Sequence, residues 1–298
     1  MSPEQIAFAR RYDLFMRSMS VLARIRPRWL YAMLARTLAR WLNPYALRSA
    51  HMQQTMSGVL NPQDVASVWT QWLDSHIRFV FDFLHYPELD TRWLSDQVLV
   101  RDAAVLQALR ASGGLLLTYH THHQNTLCCA LGLMWCEVSA VAAAPEDSPL
   151  FPYIGRWAKR VNADSQRHFR GGRYLYLSDM RSLSRSVRTL MAKKSVLVSL
   201  CDFHQPSPDS LGGQLLGRAI SPPIGMIELA LKQGAPVFAA MFARRGDRLE
   251  LRMVRIAEEI DADRVVKHYL AFLEVCVRDN ASCWQGWDWL RDLKLIEN

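Results

Sequence analysis

Two short, almost unbroken apolar runs constrain the fold of this chain most. Residues 115–119 read Leu-Leu-Leu-Thr-Tyr and residues 195–201 read Ser-Val-Leu-Val-Ser-Leu-Cys. A strand turns alternate residues to opposite faces, so a run apolar at every position must be covered on both faces. Further strands are expected at 138–144, 237–242 and 249–256. The last two flank Arg245-Gly246-Asp247, which reads as a hairpin turn. Helical spacing marks 63–83, 96–111, 126–134, 151–162, 182–192, 224–233 and 265–277. Arg170-Gly171-Gly172-Arg173 interrupts the pattern before 174–177, and a polar loop with Gly and Pro runs from 202 to 223. Strands alternating with helices predict an α/β fold: a mixed, mainly parallel sheet flanked by helices.

An N-terminal amphipathic helical extension is expected over residues 1–60, with the α/β domain over 61–298. Between Pro27 and Pro44, the residues Trp29, Leu30, Met33, Leu34, Leu38, Trp41 and Leu42 form one apolar stripe. Arg36 and Arg40 point away from it, and Arg24, Arg26 and Arg28 cluster at its start. Such a basic, Trp-bearing helix can lie in a membrane interface or pack on its own domain. No secretory signal and no run of about 18 uncharged apolar residues is visible, so peripheral attachment through residues 28–42 is expected rather than a span. Formal net charge is +8, from 36 basic against 28 acidic residues, which suits an anionic partner. No nucleic-acid-binding module is recognisable, and nucleic acid is not an expected partner. Cys128, Cys129, Cys136, Cys201, Cys276 and Cys283 form no CxxC pair and lie mostly in apolar runs, as reduced core cysteines do.

The first apolar run ends in His120-Thr121-His122-His123-Gln124-Asn125, which holds three of the nine histidines. Turns after buried strands are where α/β proteins place chemistry, and imidazole moves protons near neutral pH. Three readings are open. His120 can act as a general base with Asn125 turned back to hold its ring. His120, His122, His123, Cys128 and Cys129 can bind a metal, although their spacing matches no standard zinc pattern. Or these are ordinary polar loop residues. GxSxG, P-loop and GxGxxG patterns are all missing. No metal or cofactor is expected.

The ordered set goes further. One strand ends in His120 with an amide five positions on; another ends in Asp202. Then come Leu216-Gly217-Arg218-Ala219, Pro222-Pro223, Gly234-Ala235-Pro236-Val237 and a tail reading Trp284-Gln285-Gly286-Trp287-Asp288-Trp289-Leu290-Arg291. Over residues 20–295 this resembles the bacterial lipid A late acyltransferases (lauroyl and myristoyl transferases), within the glycerophosphate acyltransferase-like superfamily. The resemblance implies an α/β fold and transfer of a fatty acyl group from acyl carrier protein, or acyl-CoA, to a lipid acceptor at the cytoplasmic face of the inner membrane. It also implies a catalytic His-x4-acid pair.

Here the histidine position is His120, but the acid position is Asn125. An amide can orient the ring yet adds no negative charge to stabilise an imidazolium. Either His120 and Asn125 suffice with an activated thioester, or another acid substitutes, for which Asp202 is the candidate. Otherwise the chain is a non-catalytic binder of lipid or acyl carrier. A thioester hydrolase is a further alternative, and a secondary-metabolite acceptor fits as well as lipid A. Arg218, Arg170, Arg173 and His123 are the residues expected to bind substrate, arginine suiting phosphate groups. Trp287 and Trp289 are expected to be structural anchors, and His204 a surface residue.

Overall fold

The computed structural model describes residues 3–24, 37, 43–148, 151–178, 180–205, 212–256, 261–290 and 293. The expected membrane-docking stripe, residues 28–42, falls almost wholly outside this set.

The described chain is α/β. Its elements run α1 (Pro3–Leu22), α2 (Ser49–Ser57), α3 (Pro62–Leu84), α4 (Thr91–Gln97), β1 (Val98–Val100), α5 (Ala103–Ser112), β2 (Gly114–Thr118), α6 (Gln124–Leu133) and β3 (Val138–Ala142). They continue with α7 (Phe151–Gln166), β4 (Tyr174–Tyr176), α8 (Met180–Ala192), β5 (Val196–Leu200), β6 (Gly213–Leu215), β7 (Arg218–Ile220), α9 (Gly225–Lys232), β8 (Val237–Arg245), β9 (Arg248–Ile256) and α10 (Ala262–Asp279).

Seven strands form one sheet in the order β1-β9-β8-β2-β5-β3-β4. The five from β8 to β4 are parallel; β9 returns antiparallel to β8, and β1 runs parallel to β9. The three leucines of β2 show why the run is unbroken. Leu115 and Leu117 enter a core beneath α8, α9 and α10, with Leu183, Val187, Ile227, Val265 and Tyr269. Leu116 enters the opposite core beneath α5 and α6, with Leu106, Leu109, Leu127 and Leu131. Full burial of one such side chain contributes about 1.5–3 kcal/mol.

A third cluster lies outside the sheet layers. Phe15, Met16 and Met19 of α1 pack on Ile77, Val80 and Phe83 of α3 and on Trp157 of α7. Asn61 and Pro62 start α3, and its buried residues Val65, Trp69, Trp72, His76 and Val80 recur at helical spacing. Trp72 of this face reaches the C-terminal tail, donating its indole N–H to the carbonyl of Trp284 at 2.7 Å.

Two expectations need correction. β1 lies inside the stretch expected to be helical at 96–111. Residues 202–223 contain the β6–β7 hairpin, with both turn residues left-handed (Leu216 φ 53°, Gly217 φ 75°). The N-terminal segment is helical over Pro3–Leu22, as expected, and packs through Phe15, Met16 and Met19. The six cysteines are free and buried, as expected. No described helix is long and apolar enough to cross a membrane.

Candidate active site

Parallel strands put all their carboxyl ends on one edge of the sheet, which is where sequence-distant side chains meet. β2 and β5 are direct neighbours with Thr118 opposite Leu200, so the residues two beyond each, His120 and Asp202, emerge side by side. His120 Nδ1 lies 2.6 Å from Asp202 Oδ1. The backbone N–H of His120 donates to Asp202 Oδ2 at 3.0 Å, so the residue is gripped at ring and main chain together. A carboxylate can only accept from an imidazole N–H. Nδ1 is therefore the donor in this contact, which leaves Nε2 as the nitrogen not engaged by the carboxylate.

The two partners differ sharply in exposure. The Asp202 side chain is fully buried, whereas that of His120 keeps 25% of its surface accessible. Burying a carboxylate is costly unless it is well bonded. Here the charge-assisted donors include the indole N–H of Trp284, 2.9 Å from Oδ2. Trp284 is itself buried and joins Thr121 in an isolated antiparallel bridge.

The tail is threaded through the turn at further points. Gln285 N–H donates to the His120 carbonyl at 2.8 Å. Trp289 sets its ring edge-on to the imidazole, with centroids 5.1 Å apart, and Phe203 flanks it at 5.9 Å. The tail is anchored in turn by Asp288, which accepts from Arg48 and from the ring of His51 through its carbonyl. Trp287 is the structural anchor expected, buried with its N–H on the Ala281 carbonyl. Trp289, by contrast, touches the site histidine.

Of the seven residues singled out from sequence, His120 and Asp202 come together and five do not join them. Asn125 lies in the first turn of α6, where its Oδ1 accepts from the Tyr174 hydroxyl at 3.4 Å; it makes no hydrogen bond to His120. The His-x4-Asn pairing is thus replaced by a His120–Asp202 pairing across two strands.

His123 is corrected as well. It is sealed in the interior, 3.6 Å from Asp82, and burial together with nearby Arg244 and Arg78 drives its pKa well below the ordinary value. A buried neutral ring cannot receive an external anion. Arg218 begins β7 and donates to the Leu293 carbonyl at 2.9 Å, tying the hairpin to the tail. Arg170 and Arg173 precede β4, so they lie on the amino edge of the sheet, opposite the dyad. Parallel topology alone excludes them from this site. His204 is exposed, its Nδ1 accepting from Ser221 N–H.

Neighbouring histidines build the wall behind the turn. His122 packs edge-on against Trp72 at 4.5 Å and lies 5.4 Å from the ring of His76. Burial lowers the pKa of His76 to about 3 and that of His122 well below normal. Both are neutral aromatic packing elements. Cys128 and Cys129 point into separate cores, and no group of three or more His, Cys, Asp or Glu among the described residues is arranged to hold a metal ion.

The arrangement is that of an oriented base: a partly exposed imidazole with Nδ1 fixed on a buried carboxylate and aromatic rings beside it. No protein-family model matches the chain, and no curated protein matches it.

Proposed function

We propose that this chain is an acyltransferase that moves a fatty acyl group from acyl carrier protein or acyl-CoA to a hydroxyl or amine of a lipid or secondary-metabolite acceptor. The observation that carries the reading is the 2.6 Å contact between His120 and the buried Asp202. It supplies the carboxylate missing at Asn125, and with it the charge that stabilises an imidazolium.

In this reaction His120 Nε2 takes the proton of the acceptor hydroxyl or amine as the acceptor atom attacks the thioester carbonyl. Asp202 steadies the imidazolium. The tetrahedral intermediate collapses with loss of the thiolate, to which the imidazolium returns the proton. The first-turn amides of α6, which has no side-chain cap, begin four residues after His120 and favour negative charge developing nearby. Trp289 and Phe203 offer apolar surface on which an acyl chain can lie. The net charge of +8 and the Arg- and Trp-bearing sequence of residues 28–42 support work at the anionic cytoplasmic surface of the inner membrane.

The test is purified protein incubated with an acyl carrier protein thioester and candidate acceptors, read by mass spectrometry. An acylated acceptor that disappears in His120→Ala supports the reading. Acceptor-independent release of free fatty acid, also lost in His120→Ala, would favour the hydrolase alternative, which the partial exposure of the His120 ring to water supports. Thioester binding without turnover would leave only the binder.

A further inference from the structure

We propose that the amino edge of the parallel sheet, opposite the His120–Asp202 dyad, is a docking surface for an acidic segment of a partner protein. The inference does not depend on the acyltransferase reading.

The loops entering β2, β3, β4 and β5 converge on this edge, where Gly114, Val138 and Val196 start side by side. They carry Arg170, Arg173, Lys193 and Lys194, and the last turn of α5 adds Arg110; all five are exposed. None of these five is in an ion pair among the described residues, whereas most other described arginines are paired. The acid within these loops, Glu137, is half-buried and committed to the Ser195 hydroxyl at 3.0 Å. An uncompensated basic edge of this kind attracts negative charge.

The backbone gives a second, independent observation. Among the described residues four non-glycine residues have positive φ, and three of them lie on this edge: Trp135 (73°), Arg170 (54°) and Lys194 (60°). Glycine occupies that conformation without penalty, and a branched or long L-residue does not. The sequence uses glycine in two of these same loops, at Gly113 and Gly171. Keeping Trp, Arg and Lys where glycine would be easier indicates that their side chains are used. Trp135 is 65% exposed, and the guanidinium of Arg170 lies 3.8 Å over its ring. Trp and Arg are the side chains that most often anchor protein interfaces.

Two of these segments are packed together: a Cβ on Gly113 would fall 2.2 Å from the Lys194 backbone, so the turn that follows Arg110 is in contact with Lys194. Braced cations at fixed spacing suit an ordered acidic helix or strand. A bilayer-docking face would present several large apolar groups, and among the described residues here only Trp135 is exposed to that degree.

The experiment measures binding of fluorescein-labelled polyglutamate to the full chain by anisotropy at low salt, beside phosphatidylglycerol vesicles and a short RNA duplex. Polyglutamate should bind best and weaken as salt rises. Arg170→Gly should hold or raise the Tm while weakening binding about twofold to fivefold, the value of one exposed ion pair. Arg170→Glu combined with Arg173→Glu and Lys193→Glu should abolish it, and Arg248→Glu on the opposite edge should not. The proposal is overturned if polyglutamate does not bind, if the triple variant binds normally while folded, or if vesicles or RNA bind in preference.

Discussion

Trp284 and Asp202 are joined by a buried hydrogen bond of 2.9 Å, from the indole N–H to Oδ2. The other carboxylate oxygen is therefore left aimed at His120. Replacing Trp284 by Phe removes the donor and puts a smaller ring in a fully buried site. Losing a hydrogen bond to a buried charge costs about 1.5–3 kcal/mol. We expect Trp284→Phe to lower the unfolding free energy by at least that amount, the smaller ring adding a cavity cost. It should also lower kcat about tenfold with little change in KM, because Trp284 is fully buried and acts through Asp202. Urea unfolding and steady-state kinetics on the same preparation check both.

Gly286 explains how this ring is held. A Cβ there would lie 2.0 Å from Cζ2 of Trp284, and the ring is backed by Trp287 at 5.0 Å between centroids. The ring cannot retreat without moving the tail. Gly286→Ala should therefore destabilise the protein by about 1–3 kcal/mol. It should depress activity through the same loss as Trp284→Phe, so that the double variant is less than additive.

Stability should fall on acidification through the wall of buried histidines. Their folded-state pKa values lie below the ordinary value near 6.5, at about 3 for His76 and well below 6.5 for His122 and His123, because burial disfavours the charged ring. A depressed pKa means that the unfolded chain takes up the proton first. The stabilisation is complete above about pH 6.5 and is lost as pH falls below it, by about 1.4 kcal/mol per histidine per pH unit. His76 stacks against Phe15 and Trp72, so His76→Phe suits the site in shape and removes one titration. At pH 5 the variant should gain about 2 kcal/mol relative to its own difference from wild type at pH 7. Denaturant midpoints at the two pH values measure this.

The strands were legible wherever burial on both faces left no polar position, as in β2 and β5. β1 was not, because its three residues sit between two helices and blend into their spacing. The β6–β7 hairpin was hidden because its tight turn is Leu-Gly where Asn-Gly would be the usual signal. His120 and Asp202 could both be read as strand ends, and neighbouring parallel strands explain why they meet. The partner of His120 could not be read from spacing. Asn125 is nearer in sequence, but the first turn of α6 directs its amide to Tyr174. Arg170 and Arg173 had the right chemistry for an anion, yet residues preceding a parallel strand lie on the far edge. The part played by Trp284 and Trp289 depends on a tail docking some 80 or more positions away in sequence, and no local pattern announces it.

The central claim is that Asp202, and not Asn125, is the partner of His120 in acyl transfer. Single-turnover rates with an acyl carrier protein thioester and a competent acceptor test it most directly, comparing Asp202→Asn with Asn125→Ala. In serine proteases the matching acid-to-amide change lowers kcat about 10⁴-fold. We predict a loss of at least about 10³-fold for Asp202→Asn, with Asn125→Ala retaining a rate within a few-fold of wild type. A rate preserved in Asp202→Asn, or lost in a folded Asn125→Ala, would contradict the account.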